Sequence, residues 1–153
     1  MQGMENSRQD RLADTQRACL AGQSRGMDEE RMVLVVEDDE DIAEMLCYAL
    51  LKKGVRVAVA HDGLTAFALA ENLRPDLILL DVMLPRMSGL AVCRMLRDHH
   101  DQELARMPVV MLSALSGPDD IERGMAMGAS GYFTKPYTIR DVVAATLEWV
   151  GGK

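Results

Sequence analysis

From residue 32 onward, short apolar runs alternate with amphipathic stretches. The runs are MVLVV (32–36), VRVAVA (55–60), DLILL (76–80), PVVML (108–112) and GYF (131–133). Short runs with little polar alternation predict strands covered on both faces. Between them the spacing becomes helical. Ile42, Met45, Leu46, Ala49 and Leu50 follow i, i+3, i+4, i+7, i+8 and predict one inward helix face, ended by Gly54. A second helix is predicted over 63–73, stopped by Pro75, and a third from its cap at Ser88 to about residue 99. Residues 118–127 predict a poor fourth helix, because Gly124 and Gly128 each cost about 1 kcal/mol against alanine. Thr138 with Asp141 predicts a capping box for the last helix, with Ile139, Val142, Val143, Thr146 and Val150 inward.

Strand and helix thus alternate five times, which predicts a doubly wound α/β fold: a five-stranded parallel sheet with helices on both faces. Residues 1–30 differ. They are rich in Gln, Arg, Asp, Ser and Gly, and Leu12 and Leu20 are almost their only large aliphatics. They predict a disordered or weakly helical extension before one domain at 31–153. An early start codon ahead of Met27 or Met32, or a docking arm, would also give such a segment. The chain ends soon after Trp149, which is read as a stand-alone domain with no effector behind it.

The chain has 153 residues, 48% of them hydrophobic, enough for one core. A net charge of −7 argues against direct nucleic-acid binding and suits basic partners or cations. No apolar run approaches the roughly 18 residues of a membrane span, and no signal-peptide core stands at the N-terminus. Cys19, Cys47 and Cys93 are odd in number and widely spaced, which predicts free thiols in a reducing cytoplasm.

In an open parallel sheet, functional groups gather at the carboxyl ends of the strands. There the chain places Glu37, Asp38 and Asp39, then Asp81, then Ser113, then Lys135 with Pro136. With the strand order 2-1-3-4-5, these four ends share one crevice. Clustered carboxylates repel unless a cation joins them, and hard oxygen ligands at an open site favour Mg²⁺, with Mn²⁺ as the alternative. Lys135 and Ser113 could hold further anionic oxygens. Such a site suits a phosphoryl group in transfer, with Asp81 as the nucleophile. An aspartyl phosphatase would need a second acid at position 83, which is Met83, and a P-loop would need glycines where Glu37–Asp39 stand. His61, His99 and His100 read as solvated loop residues away from this site.

VLVVEDDE (33–40), LILLDVMLPRMSG (77–89), VVMLSA (109–114) and GASGYFTKP (128–136) together resemble the receiver domain of bacterial two-component response regulators. The resemblance covers nearly all of the chain past residue 30. It implies the flavodoxin-like receiver fold, with Asp81 as phosphoacceptor from a sensor histidine kinase or a histidine phosphotransfer protein. It implies a Mg²⁺ site made by Glu37, Asp38, Asp81 and the backbone carbonyl of Met83. It also implies Lys135 as the phosphoryl contact after a cis peptide to Pro136, with Ser113 and Tyr132 as the switch pair. Asp39 is expected to cap the first helix rather than bind metal. The implied protein is a signalling domain rather than an enzyme, although it assists its own phosphorylation and dephosphorylation. Its output face would be the fourth helix, the GYF strand and the last helix, read by a downstream target protein. The expected assembly is a monomer or a phosphorylation-dependent dimer, with no direct nucleic acid and no membrane. The alternatives are an interaction module that is never phosphorylated, and the receiver portion of a longer DNA-binding regulator.

Overall fold

The computed structural model describes residues 31–151. The extension expected at 1–30 lies outside the described residues. Five strands form one parallel sheet: β1 Met32–Val36, β2 Arg56–Ala60, β3 Leu77–Asp81, β4 Val109–Ser113 and β5 Gly131–Thr134. Their order is β2-β1-β3-β4-β5, as the sequence predicts. The helices are α1 Glu40–Lys52, α2 Gly63–Leu73, α3 Gly89–Arg97, a short α4 Gln102–Ala105, α5 Pro118–Ala126 and α6 Ile139–Gly151.

The continuous apolar runs feed two cores because side chains alternate across a strand. Val33, Val35, Leu77, Leu79, Val110 and Leu112 face α1 and α6. Leu34, Val36, Ile78, Leu80, Val109 and Met111 face α2, α3 and their neighbours. Leu34, Leu79, Leu80 and Leu112 are fully buried, and each contributes about 1.5–3 kcal/mol through burial. β5 is the half-buried edge.

On α1 the inward stripe is Ala43, Leu46, Cys47 and Leu50, while Met45 is 51% exposed. The helical period was read correctly, but the stripe is rotated by about one residue. Ile42 and Ala49 are half-buried against the same core, so Met45 is the one predicted inward position that faces solvent. Asp39 caps α1, its carboxylate accepting from the N–H groups of Asp41 and Ile42. Ser88 caps α3 and Thr138 caps α6 through Asp141 N–H. The stretch after α3, expected as a loop, contains the short α4; Asp101 caps it, its carboxylate accepting from Glu103 N–H.

Two histidines expected in solvent are engaged instead. His99 is 10% exposed, with Nε2 2.9 Å from Glu71 and Nδ1 accepting from Asp101 N–H. His61 contacts the backbone of Glu37. Among the cysteines, Cys93 is a buried free thiol, as expected. Cys47 is disulfide-bonded, against expectation, and Cys19 lies outside the described residues. Among the described residues, no helix is long and apolar enough to cross a membrane.

Candidate functional site

The winding direction reverses between β1 and β3: α1 and α6 cover one face of the sheet, α2, α3 and α5 the other. That opens a crevice at the carboxyl ends of these two strands. The last register pair between them is Val36 with Leu80, so Glu37 and Asp81 follow side by side. Carboxylate oxygens of Glu37, Asp38 and Asp81 lie within 4.8 Å of one another. Glu37 and Asp81 are buried, whereas Asp38 faces solvent. An open groove of about 550 Å³ adjoins them, lined by Asp38, Val82, Met83, Leu84, Pro85 and Ser88.

Lys135 reaches the pair from the end of β5. Its Nζ donates to Asp81 Oδ2 at 3.0 Å and Glu37 Oε1 at 3.3 Å. Its own backbone N–H donates to Ser113 O at 2.7 Å, which ties the ends of β4 and β5. The Lys135–Pro136 peptide is cis, as expected. Asp81 Oδ1 accepts from Met83 N–H at 3.0 Å, and Glu37 Oε2 from Asp39 N–H at 3.2 Å.

Two carboxylates share one ammonium, and the electrostatics record the deficit. Burial, then the hydrogen bond to and charge of Asp81, push the Glu37 carboxyl up to about 8. Asp39 N–H and Lys135 oppose that only in part. For Lys135, burial alone would lower the pKa, but the Asp81 hydrogen bond and the two acidic charges outweigh it and hold it raised. The donor set fits a hard divalent cation: three carboxylates, one solvent-facing, and too little positive charge among the side chains. Burial, followed by the Glu37 charge, pushes the Tyr137 hydroxyl up to about 12, and that hydroxyl has no hydrogen-bond partner among the described residues.

The loop after Asp81 depends on a close backbone approach. A Cβ at Gly89 would fall 2.2 Å from the Asp81 carbonyl oxygen, and Gly89 N–H donates to Val82 O at 2.8 Å. Only glycine allows α3 to start against the strand that carries Asp81.

Ser113 and Tyr132 meet at one residue. Ser113 Oγ accepts from Leu115 N–H at 3.0 Å, and Tyr132 O–H donates to Leu115 O at 2.7 Å. The Tyr132 ring lies against α5, where a Cβ at Gly124 would come within 2.9 Å of it. Gly124 therefore makes room for the ring as well as weakening the helix. Arg97 was missed by sequence reasoning. Its guanidinium donates to Gly128 O through Nε and Nη2 and to Ala105 O through Nη1, fastening the C-terminal end of α5. An arginine in a last helical turn is too common to signal that role.

The family model described as Response regulator receiver domain matches residues 33–147. The DNA-binding response regulator MtrA of Mycolicibacterium paratuberculosis is 43% identical over 112 residues, 73% of this chain and 48% of that protein. The alkaline phosphatase synthesis transcriptional regulatory protein PhoP of Bacillus subtilis is 42% identical over 114 residues, 74% of this chain and 46% of its own length. The chain spans about half the length of these relatives. Among solved structures, the Francisella response regulator 1452 receiver domain has a TM-score of 0.74 at 28% identity, covering 80% of this chain and 98% of that one. The chemotaxis response regulator CheY4 of Vibrio cholerae has a TM-score of 0.71 at 31% identity, covering 79% and 98%. Strand order, crevice and these matches agree, and the chain belongs to the response regulator receiver domain family.

Proposed function

We propose that Asp81 accepts a phosphoryl group from a phosphohistidine on a sensor histidine kinase or a histidine phosphotransfer protein. The observation that carries this reading is the convergence of Glu37, Asp38 and Asp81 with the Lys135 ammonium 3.0 Å from Asp81. A carboxylate oxygen of Asp81 attacks phosphorus as the phosphorus–nitrogen bond breaks. The electron pair of that bond leaves on the imidazole, which departs neutral because its other nitrogen carries a proton. Glu37, Asp38, Asp81 and the Met83 carbonyl would hold Mg²⁺, or Mn²⁺, which when bound offsets the charge on the phosphoryl oxygens.

The Lys135 ammonium has three donors, and two already serve Asp81 and Glu37. The third meets a phosphoryl oxygen. Ser113 Oγ takes the Leu115 N–H, so its own proton serves another phosphoryl oxygen. Incubation with acetyl phosphate and Mg²⁺, followed by a phosphate-affinity gel, tests the reading. The wild type is expected to shift and Asp81→Asn to stay; a shifted Asp81→Asn overturns it. On this reading the chain is a cytoplasmic signalling domain rather than a turnover enzyme.

The output follows from the Leu115 junction. Drawing Ser113 toward a phosphoryl group displaces Leu115, and through it Tyr132 and the start of α5. The output surface is then α5, β5 and α6, read by a downstream target protein or a second copy. Hydrogen exchange should change on phosphorylation at residues 114–134 and much less in α1; an unchanged α5 contradicts the assignment.

A second reading concerns what surrounds the domain. MtrA is by name DNA-binding, and the match reaches about half of it. A regulator of that kind would use this chain as its receiver portion. With a net charge of −7, the chain itself is expected not to bind duplex DNA, phosphorylated or not.

A further inference from the structure

His61 stands outside the acidic site, directly after β2, and faces its backbone. Its Nδ1 lies 2.9 Å from the Glu37 carbonyl oxygen. A carbonyl only accepts, so Nδ1 carries the proton and donates. Nε2 is buried with no hydrogen-bond partner among the described residues. The Glu37 N–H is held as well, donating to Ala60 O at 3.0 Å. The last register pair of the β1–β2 ladder is Val36 with Ala60. The imidazole therefore continues the ladder past its end, in place of the next strand N–H.

The Glu37 carbonyl belongs to the planar peptide that joins Glu37 to Asp38. Fixing the direction of that oxygen fixes the plane, and with it the Cα of Asp38. Asp38 needs this, because its exposed carboxylate has no hydrogen-bond partner of its own among the described residues. Glu37 differs: its carboxylate is held by Lys135 and Asp39 N–H.

We infer that His61 is a positioning residue for divalent-cation binding: its Nδ1–H orients the Glu37–Asp38 peptide so that the Asp38 carboxylate points into the site. The inference rests on the reading of Glu37, Asp38 and Asp81 as cation ligands. Its recognition element is the Nδ1 donor alone, which makes it separable from volume and from polarity. Asn places an amide N–H where Nδ1–H sits, Gln places one further out near Nε2, and Leu fills the space without a donor.

The test is Mn²⁺ affinity by electron paramagnetic resonance on folded wild type, His61→Asn, His61→Gln and His61→Leu, with folding checked by circular dichroism. Loss of an outer support to a metal ligand weakens affinity on the order of tenfold, so Leu and Gln are each expected near that loss and Asn within about twofold of wild type. Leu binding as tightly as wild type, or Gln equal to Asn, overturns the role of Nδ1–H. If Leu fails to fold, the Asn and Gln pair decides alone. A wild type that binds no Mn²⁺ overturns the reading of the acidic site, and this inference with it. Wild-type binding with all variants equal overturns this inference only.

Discussion

At the carboxyl-terminal rim of the sheet, Glu37 and Asp81 are 1% and 3% exposed and share a single ammonium. At the amino-terminal rim, Arg74 meets Asp101 and Glu103 in the open, and His99 meets Glu71 under partial cover. Both rims are clusters of acids and bases. At the first, acids outnumber bases in a dry place, so Glu37 is driven toward its neutral form and a cation has something to act on. At the second, exposed pairs are screened by water and fasten α2 to the loop before β4. Burial, and not the count of charges, separates a chemical site from a clasp.

The largest effect should come from Asp81→Asn, which is expected to abolish phosphorylation by acetyl phosphate. Residual transfer to another carboxylate, seen by mass spectrometry, would break the claim that only one acid at this rim is the nucleophile. Next, Gly89→Ala should cost ~3 kcal/mol in urea unfolding, because its Cβ cannot sit 2.2 Å from the Asp81 carbonyl. A near-neutral result would mean that the loop yields easily and the rim is softer than argued.

Glu37→Gln sharpens the comparison through pH. Glu37 binds its proton more tightly when folded, at about 8 against an ordinary 4.5. Its contribution to stability is therefore complete below about pH 4.5 and is lost as pH rises through about 8. In chelator, the wild type should lose on the order of 5 kcal/mol across that window relative to Glu37→Gln. Parallel profiles for the two proteins would show that Glu37 is not an uncompensated acid. The smallest effect is expected at the other rim, where Arg74→Ala should shift the urea midpoint only slightly and added salt should shrink the shift. A large shift there would erase the contrast between the two rims.

Much of the site is legible in the sequence. Asp81, Ser113 and Lys135 each stand at or just past the end of an apolar run, and strand ends in a parallel sheet converge. Asp39 as a cap and Thr138 with Asp141 were legible because capping is local. What escaped depends on distant partners. His61 and His99 looked solvated because Glu37 and Glu71 lie far away in the chain. Arg97 finds Gly128 and Ala105 only after α3, α4 and α5 pack together. Met45 fits the inward spacing, but the buried stripe runs through Ala43 and Cys47, and the period alone does not set the rotation of the helix on the sheet.

The sequence by itself determined the order of elements, the parallel sheet and the identity of the groups at its rim, because side-chain periodicity and chain punctuation are local properties. Tertiary structure alone decided which acids share Lys135, how far Glu37 is driven from its ordinary pKa, why position 89 must be glycine and what His61 holds. Those outcomes depend on approach distances of a few ångströms and on exclusion of water, and neither exists until remote segments meet.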